Sequence, residues 1–280
     1  MNAVNPSLLN ETRMPSPRLP RWHRWAIAAG LLPALGLGLH GQDRDVFQAL
    51  NGLGRWLPAL WAMLSVAGLG LSAFIVLAAA QPGGSPPAMR MVAALLWCFP
   101  VGGALTHVFK RLIDQPRPAA VLAPDQLVVI GEPLLRGAMP SGHAVTTLAV
   151  VGLLLLSRAR PLGQRLAIGL VALAVAGARI AVGAHWPADV CVGAALGLVT
   201  AMIAWALSTR PALPSWLGSR TGQALLTTTQ VVCGGGMARL DSGYPDALPL
   251  QWALGVLSVA AGLYRLRTLS TTLTAADARG

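Results

Sequence analysis

Long apolar runs dominate this chain and restrict the folds open to it. They are separated by short segments rich in arginine or proline, and they lie at about residues 25–40, 57–80, 91–109, 143–157, 166–184 and 190–207. A helix needs about 20 mostly apolar residues to cross a bilayer. Only 11% of the 280 residues are charged, against about 25% in soluble domains. The sequence therefore predicts an all-α, polytopic membrane protein with six spans, of which the first and fourth are short.

The arginines between these runs predict the orientation of the spans. Cytoplasmic loops carry the excess of Lys and Arg. A cytoplasmic N-terminus places ten arginines on that side: Arg13, Arg18, Arg21, Arg24, Arg90, Arg158, Arg160, Arg165, Arg210 and Arg220. We therefore expect a basic cytoplasmic segment over residues 1–24, a six-helix membrane domain over 25–207 and a cytoplasmic C-terminal extension over 208–280. The apolar stretch of the extension, Gln251 to Tyr264, is 14 residues long, and we predict a surface or re-entrant element there.

The net charge of +11 does not by itself indicate a nucleic-acid partner. The arginines are spread between apolar runs, and no basic patch with interleaved aromatic residues is present. The three cysteines, Cys98, Cys191 and Cys233, show none of the paired spacing of a zinc site or a disulfide framework. We interpret them as small buried residues and expect neither a metal nor a cofactor.

The first motif that carries chemistry is KRLIDQPRP, residues 110–118. It contains the chain's single lysine, Lys110, at the outer end of the third span. Two prolines end the helix and bring Arg117 into the outer loop, where both cations face the same region. Taken alone, Lys110 could equally extend to the membrane interface, as long basic side chains do.

The second motif, PSGH, opens the fourth span at residues 140–143. Ser141 is a candidate N-cap, and Gly142 allows a ligand close to the backbone. Free N–H groups at a helix N-terminus attract anions, phosphate above all. His143 would then stand beside an anion site at the membrane surface, although four such residues also occur at ordinary helix starts.

The third motif, ARIAVGAHWPAD, occupies residues 178–189 at the end of the fifth span. Ionisable groups inside or beside a span are functional candidates. Pro187 suits the first position of a new helix, so Asp189 falls in its first turn and can reach back to His185. Arg179 precedes His185 by six residues. With alternating spans, all three motifs emerge on the outer face.

These residues suit phosphoryl transfer. Lys110, Arg117 and Arg179 can bind phosphoryl oxygens, and Ser141 and Gly142 add neutral donors; this set can neutralise charge without a metal. Asp189 would orient His185, leaving one imidazole nitrogen as the nucleophile. His143 would protonate the leaving oxygen.

The triple pattern resembles the signature motifs of the type 2 phosphatidic acid phosphatase (PAP2) superfamily, in the order Lys110-x₆-Arg117-Pro118, Ser141-Gly142-His143 and Arg179-x₅-His185-x₃-Asp189. The resemblance implies a six-helix membrane core and a metal-independent hydrolase of the bacterial inner membrane with its active site facing the periplasm. It also implies a phosphohistidine intermediate formed from a lipid phosphate or diphosphate, of the undecaprenyl diphosphate, phosphatidylglycerophosphate, phosphatidate or lipid A class. One position departs from the family pattern, because Ala178 stands where a serine usually precedes the arginine.

Two other functions are compatible with the motifs. A lipid phosphotransferase that passes the phosphoryl group to lipid A would use the same phosphohistidine. A non-catalytic scaffold or a transporter could bind anionic headgroups with its outer cations, but a transporter places ionisable residues near the middle of the membrane. In this chain they lie at the outer ends of the spans.

Overall fold

The structure is a computed structural model that describes residues 28–36, 43–81 and 83–277. The predicted basic segment 1–24 and both ends of the predicted first span lie outside these residues. Within them the chain is helical and contains no strand. The helices are α1 (28–36), α2 (Asp43–Asn51), α3 (Pro58–Ala67), α4 (Gly70–Ala79), α5 (Pro86–Ile113), α6 (Pro118–Val121), α7 (Gly142–Ser157), α8 (Leu162–Ala181), α9 (Pro187–Leu207), α10 (Ala212–Gly218), α11 (Arg220–Arg239) and α12 (Leu248–Asp277).

Several of these helices are long and apolar enough to cross a membrane. Four qualify in the described residues, namely Pro86–Val121, Leu162–Ala181, Pro187–Leu207 and Pro245–Thr268, and the bent pair α3 and α4 makes up to five. Helix α7 is apolar but has only 16 residues, as expected from its short run. The chain is thus a helical membrane protein, while the predicted count of six spans is not confirmed.

The predicted second span, 57–80, is broken in the middle. Helices α3 and α4 meet at an angle of 70°, and Gly68 and Leu69 form the junction. The Ser72 hydroxyl donates to the Val66 carbonyl at 2.6 Å, which occupies one of the carbonyls freed by the break. A side chain on Gly68 would lie 3.1 Å from the ring of His143, so the break packs against the second motif.

Helices α7 and α9 pack closely along small residues, which let apolar helices approach each other. A side chain on Gly197 would collide with the Val145 carbonyl, and one on Gly152 would collide with Ala201. At the top of the pair, a side chain on Gly193 would lie 2.5 Å from the Ser141 carbonyl. The second motif is therefore seated directly on α9, next to the third motif.

The C-terminal extension differs from the expectation of a short surface or re-entrant element. Helix α12 has 30 residues, and Pro245–Thr268 qualifies as a span. The expected element was too short because the run was ended at Arg265, which is only 1% exposed and donates to Gln223 and Gln230 of α11. Gln251 and Ser258 are also buried and satisfied inside the bundle. The Ser258 hydroxyl donates to the Gln230 carbonyl of α11 at 2.6 Å, and the Gln251 amide donates to the Leu240 carbonyl at 2.7 Å.

Candidate active site

The three predicted motifs meet at one end of the bundle. Lys110 lies in the last turn of α5, Ser141 precedes the first turn of α7, and His185 lies in the turn between α8 and α9. Helices α5 and α8 end where α7 and α9 begin. Side chains from four helices and their connections therefore approach one another here.

Two of the predicted cations share one backbone acceptor. The Lys110 ammonium donates to the Gly137 carbonyl at 2.9 Å, and the Arg117 guanidinium donates to the same oxygen at 3.2 Å. Arg117 is buried and also donates to the Ala184 carbonyl at 2.9 Å. Because carbonyls are neutral acceptors, they orient both cations without cancelling their charge, which stays available for an anion.

His185 is held at both ring nitrogens. Arg117 Nη1 lies 3.2 Å from His185 Nε2, and Asp189 Oδ2 lies 3.4 Å from His185 Nδ1. A guanidinium can only donate, so Nε2 accepts and the ring proton lies on Nδ1, towards Asp189. The nitrogen that carries the free electron pair is thus the one that faces Arg117.

The charges around His185 favour its neutral form. Burial is the main cause that lowers the pKa of His185 well below its usual range, and the positive charges of Arg117 and Arg179 lower it further. A neutral imidazole is the form that can act as a nucleophile. The burial of the ring and the cation cluster therefore favour a neutral His185 side chain at neutral pH.

Asp189 joins the histidine to the start of α9. The side chain is fully buried, and its Oδ2 accepts from the backbone N–H of Trp186 at 2.8 Å. Pro187 occupies the first position of α9, as the sequence predicts. Asp189 Oδ1 has no partner in the described part of the chain. The carboxylate thus orients the imidazole and the helix start together.

Ser141 occupies the N-cap position of α7, but it does not cap the helix with its side chain. Its hydroxyl is fully buried and has no hydrogen-bond partner among the described residues. The predicted N-cap position of Ser141 is thus confirmed. Its own N–H donates to the Asp189 carbonyl of α9 at 3.0 Å. A buried hydroxyl without a partner is a donor left for a ligand.

A cavity of about 300 Å³ lies beside these groups and is lined by both Arg179 and His143. Arg179 is 3% exposed, and its Nε is a further buried atom without a partner in the described chain. Ser65 lines the same cavity, and its buried hydroxyl is likewise unpartnered there. Two donors without partners therefore line a space large enough for a small anion.

The described residues offer no candidate metal site. Across the described ranges, no group of three or more His, Cys, Asp or Glu side chains could hold a metal ion. Cys98, Cys191 and Cys233 are free and half-buried, so they are less buried than expected.

Comparison with known proteins agrees with this geometry. Residues 91–211 match the family model of the PAP2 superfamily. This matched segment, the PAP2 region, contains all three motifs. The crystal structure of LpxE from Aquifex aeolicus aligns with a TM-score of 0.47 and 23% sequence identity, covering 57% of this chain and 92% of that chain. No curated protein matches the chain.

The PAP2 region does not hold every residue at the site. Tyr244, from the connection between α11 and α12, lines the cavity and accepts a hydrogen bond from Arg179. Ser65, from the broken span, also lines the cavity and lies before the PAP2 region in the sequence. Sequence reasoning missed both because neither belongs to a motif. The one available indication for Tyr244 was that the chain has only two tyrosines and one of them lies in a proline-bounded loop.

Helix α2, which lies before the PAP2 region in the sequence, contacts the segments on both sides of the His185 turn. The Asp43 carboxylate accepts from the Ala188 N–H at 3.1 Å, at the start of α9. The Asn51 amide donates to the Val128 and Ala181 carbonyls at 2.9 and 3.1 Å, and so ties the outer loop to the end of α8. The position of the His185 turn therefore depends on residues well before the PAP2 region.

Proposed function

We propose that the chain is a metal-independent lipid phosphatase that works through a phosphohistidine at His185. The observation that supports this most strongly is the juxtaposition of the His185–Asp189 pair with Arg117, at 3.4 and 3.2 Å, beside unpartnered donors on Ser141 and Arg179. A nucleophile oriented by a carboxylate and surrounded by anion donors is the arrangement that phosphoryl transfer requires.

The proposed reaction has two steps. In the first, the electron pair of His185 Nε2 attacks phosphorus, the bond from phosphorus to the lipid oxygen breaks, and His143 gives that oxygen a proton. In the second, water attacks phosphorus, the P–N bond breaks, and free phosphate leaves while His143 takes the proton from the water. Acid catalysis of this kind contributes roughly 10²–10⁴-fold.

The cations have a defined part in this reaction. Arg117 releases His185 Nε2 when a phosphoryl oxygen replaces the imidazole as its acceptor, so substrate binding frees the nucleophile. Lys110 and Arg179 neutralise the remaining oxygens, and the Ser141 hydroxyl and Gly142 N–H add donors. Donors that are positioned before the charge develops are usually the largest contribution to such catalysis.

Two apolar grooves support a lipid substrate. One, of about 240 Å³, runs between α5 and α7 and begins at Gly142. The other, of about 390 Å³, is lined by α4, α7 and α8 and shares Thr146 and Val150 with the first. Both lie along α7, so a lipid held at the helix start can place its chains beside apolar side chains.

The orientation follows from the arginines between the spans. We place the chain in the bacterial inner membrane with its N-terminus in the cytoplasm and the active site facing the periplasm. Because Tyr244 contacts Arg179 at that site, the connection between α11 and α12 must then also face the periplasm. This replaces the expectation that all of residues 208–280 are cytoplasmic.

The test is release of inorganic phosphate by detergent-purified protein, compared with its His185→Ala variant. The substrates are undecaprenyl diphosphate, phosphatidylglycerophosphate, phosphatidate and lipid A, each with and without EDTA. We expect release from one of these lipids by the wild type alone, unchanged by the chelator. Release that EDTA abolishes would overturn the metal-independent mechanism.

The same assay separates the alternative activities. A phosphotransferase releases no phosphate from these lipids alone, but moves label from undecaprenyl diphosphate to lipid A when both are present. Absence of both activities, with no labelled histidine after a brief incubation with ³²P-labelled substrate, would indicate a non-catalytic protein.

A further inference from the structure

The connection between α11 and α12, residues 240–247, reaches the candidate active site. Arg179 Nη1 donates to the Tyr244 hydroxyl at 2.8 Å. The Arg179 guanidinium carbon also lies 5.9 Å from the centre of the Tyr244 ring, within the range of cation–π attraction. The two residues are 65 positions apart and come from different helix pairs. A distant segment thus contacts the most buried cation of the site.

This connection is ordered by its own hydrogen bonds. The Gly243 N–H donates to the Asp241 carboxylate at 2.9 Å, and the Tyr244 N–H donates to the Ser242 hydroxyl at 3.3 Å. Ser242 in turn donates to the Gln251 side chain of α12 at 3.0 Å. Tyr244 is therefore held in place by its own segment and does not depend on Arg179 for its position.

The Tyr244 ring is also enclosed by the other side of the site. It packs against a cluster that contains Ala62 and Val66 of α3. Gly131 has a φ of +82°, and a side chain there would lie 2.9 Å from the Tyr244 ring and would collide with the Gly243 carbonyl. Because the ring has no room to move in this direction, the hydroxyl is a fixed point for the guanidinium.

A phenol is a suitable partner for an arginine that must bind an anion. A carboxylate would orient Arg179 but would also cancel its charge, whereas a neutral hydroxyl accepts the hydrogen bond and leaves the charge intact. Fixing Nη1 also fixes the plane of the guanidinium, and its unpartnered Nε belongs to the same plane.

We propose that Tyr244 is a positioning residue that holds Arg179 in the orientation for binding a phosphoryl group and forms one wall of the phosphate cavity. The C-terminal helix pair, outside the PAP2 region, would then complete the active site. The effect on turnover rests on the proposed function, whereas the effect on binding of inorganic phosphate does not.

The chain offers a matched control for the test, because its only other tyrosine, Tyr264, is 56% exposed on α12. We compare Tyr244→Phe with Tyr264→Phe in detergent-purified full-length protein. The measurements are kcat and KM on the lipid that the wild type hydrolyses, the dissociation constant for inorganic phosphate, and the melting temperature. Loss of a hydrogen bond to a charged group predicts phosphate binding about tenfold weaker and KM raised by a similar factor in Tyr244→Phe. Tyr264→Phe should match the wild type in all four quantities.

A double-mutant cycle separates positioning from a merely structural role. In an Arg179→Ala background, Tyr244→Phe should weaken phosphate binding no further, because there is no guanidinium left to orient. An equal effect of Tyr244→Phe in both backgrounds would overturn the proposal. So would a lowered melting temperature with unchanged KM and phosphate affinity, which would make Tyr244 a packing residue only.

The outcomes also separate this proposal from the proposed function. If the wild type binds phosphate but hydrolyses no lipid, the lipid-phosphatase assignment fails while the binding cycle still decides the role of Tyr244. If phosphate affinity and KM are the same in the wild type and Tyr244→Phe, the positioning role fails and the phosphatase assignment stands. A wild type that neither binds phosphate nor hydrolyses lipid overturns both.

Discussion

Arg179 and Arg265 are both buried, with 3% and 1% of their surfaces exposed, yet they are satisfied in opposite ways. Arg265, at the end of the bundle far from the site, donates to the side chains of Gln223 and Gln230 and to the Ala78 and Gln81 carbonyls. Arg179 donates with Nη1 to a single phenol and leaves Nε without a partner in the described chain.

A structural cation differs from a functional one in whether protein acceptors satisfy its donors. Burying a guanidinium is costly unless its donors are satisfied, and Arg265 meets that requirement with protein acceptors alone. Arg179 does not, and the unpartnered atoms of Ser65, Ser141 and Asp189 lie at the same end of the molecule. Unsatisfied buried groups occur elsewhere too, for example Gln230 Nε2. At the Arg179 end, the unpartnered atoms of Ser65 and Arg179 lie beside a cavity that His143 also lines.

The largest effect expected at the Arg179 end comes from His185→Ala. Without the imidazole no phosphohistidine can form, so turnover should fall below detection while the fold persists. The assay measures phosphate release and looks for labelled protein after a brief incubation with ³²P-labelled lipid. Retention of labelled protein in the variant would mean that another residue is the nucleophile.

The comparison itself is tested by replacing each arginine with alanine. Arg179→Ala should lower kcat/KM by about 10²–10³, the usual cost of removing one transition-state donor, with little change in melting temperature. Arg265→Ala should do the reverse, since it removes the donor to the buried side-chain oxygens of Gln223 and Gln230, at about 1–3 kcal/mol for an acceptor left without a partner. Measured kcat/KM and thermal unfolding of both variants decide this. If both variants changed kcat/KM and melting temperature in the same way, hydrogen-bond satisfaction would not separate a structural arginine from a functional one.

A smaller effect is expected from Lys110→Ala, with Arg111→Ala as its neighbouring control. Lys110 shares the Gly137 carbonyl with Arg117, whereas Arg111 is exposed on the adjacent position of α5. Loss of one point charge from the cluster should reduce kcat/KM by about 10²-fold. The Arg111 variant should keep the wild-type value. If both variants lose activity equally, Lys110 contributes only to membrane placement.

The smallest effect is a displacement of the pH profile. Burial and the cations lower the pKa of His185, so its neutral form persists as the pH falls below 6.5, the value of an ordinary histidine. Activity should therefore be lost only at a pH well below 6.5, when the ring becomes protonated. The measurement is kcat/KM against pH on a lipid monophosphate, corrected for the titration of the substrate. An acidic limb at or above pH 6.5 would contradict a lowered pKa.

Much of the site was predictable because its residues lie in short motifs at helix ends. The distance from Lys110 to Arg117, with a proline on each side of Arg117, placed both beside the outer loop, and the interval from His185 to Asp189 suited one helical turn. The N-cap position of Ser141 was predictable from the PSGH motif, whereas the lack of a capping bond from its side chain was not. The count of six spans was not confirmed because α7 has only 16 residues and both ends of the first run lie outside the described residues. The apolar run of 24 residues at α3 and α4 also hid a 70° break.

Patterns along the chain were enough to predict a helical, apolar protein with its cations and histidines at the ends of helices. These features repeat locally or depend on spacings of a few residues. The packed structure was needed to show that Arg265 is satisfied by protein acceptors and that Arg179 is not. It was also needed to show that Tyr244 contacts Arg179 across 65 positions. Hydrogen-bond satisfaction of a buried group depends on segments brought together by packing. No pattern along the chain records those contacts before the helices are assembled.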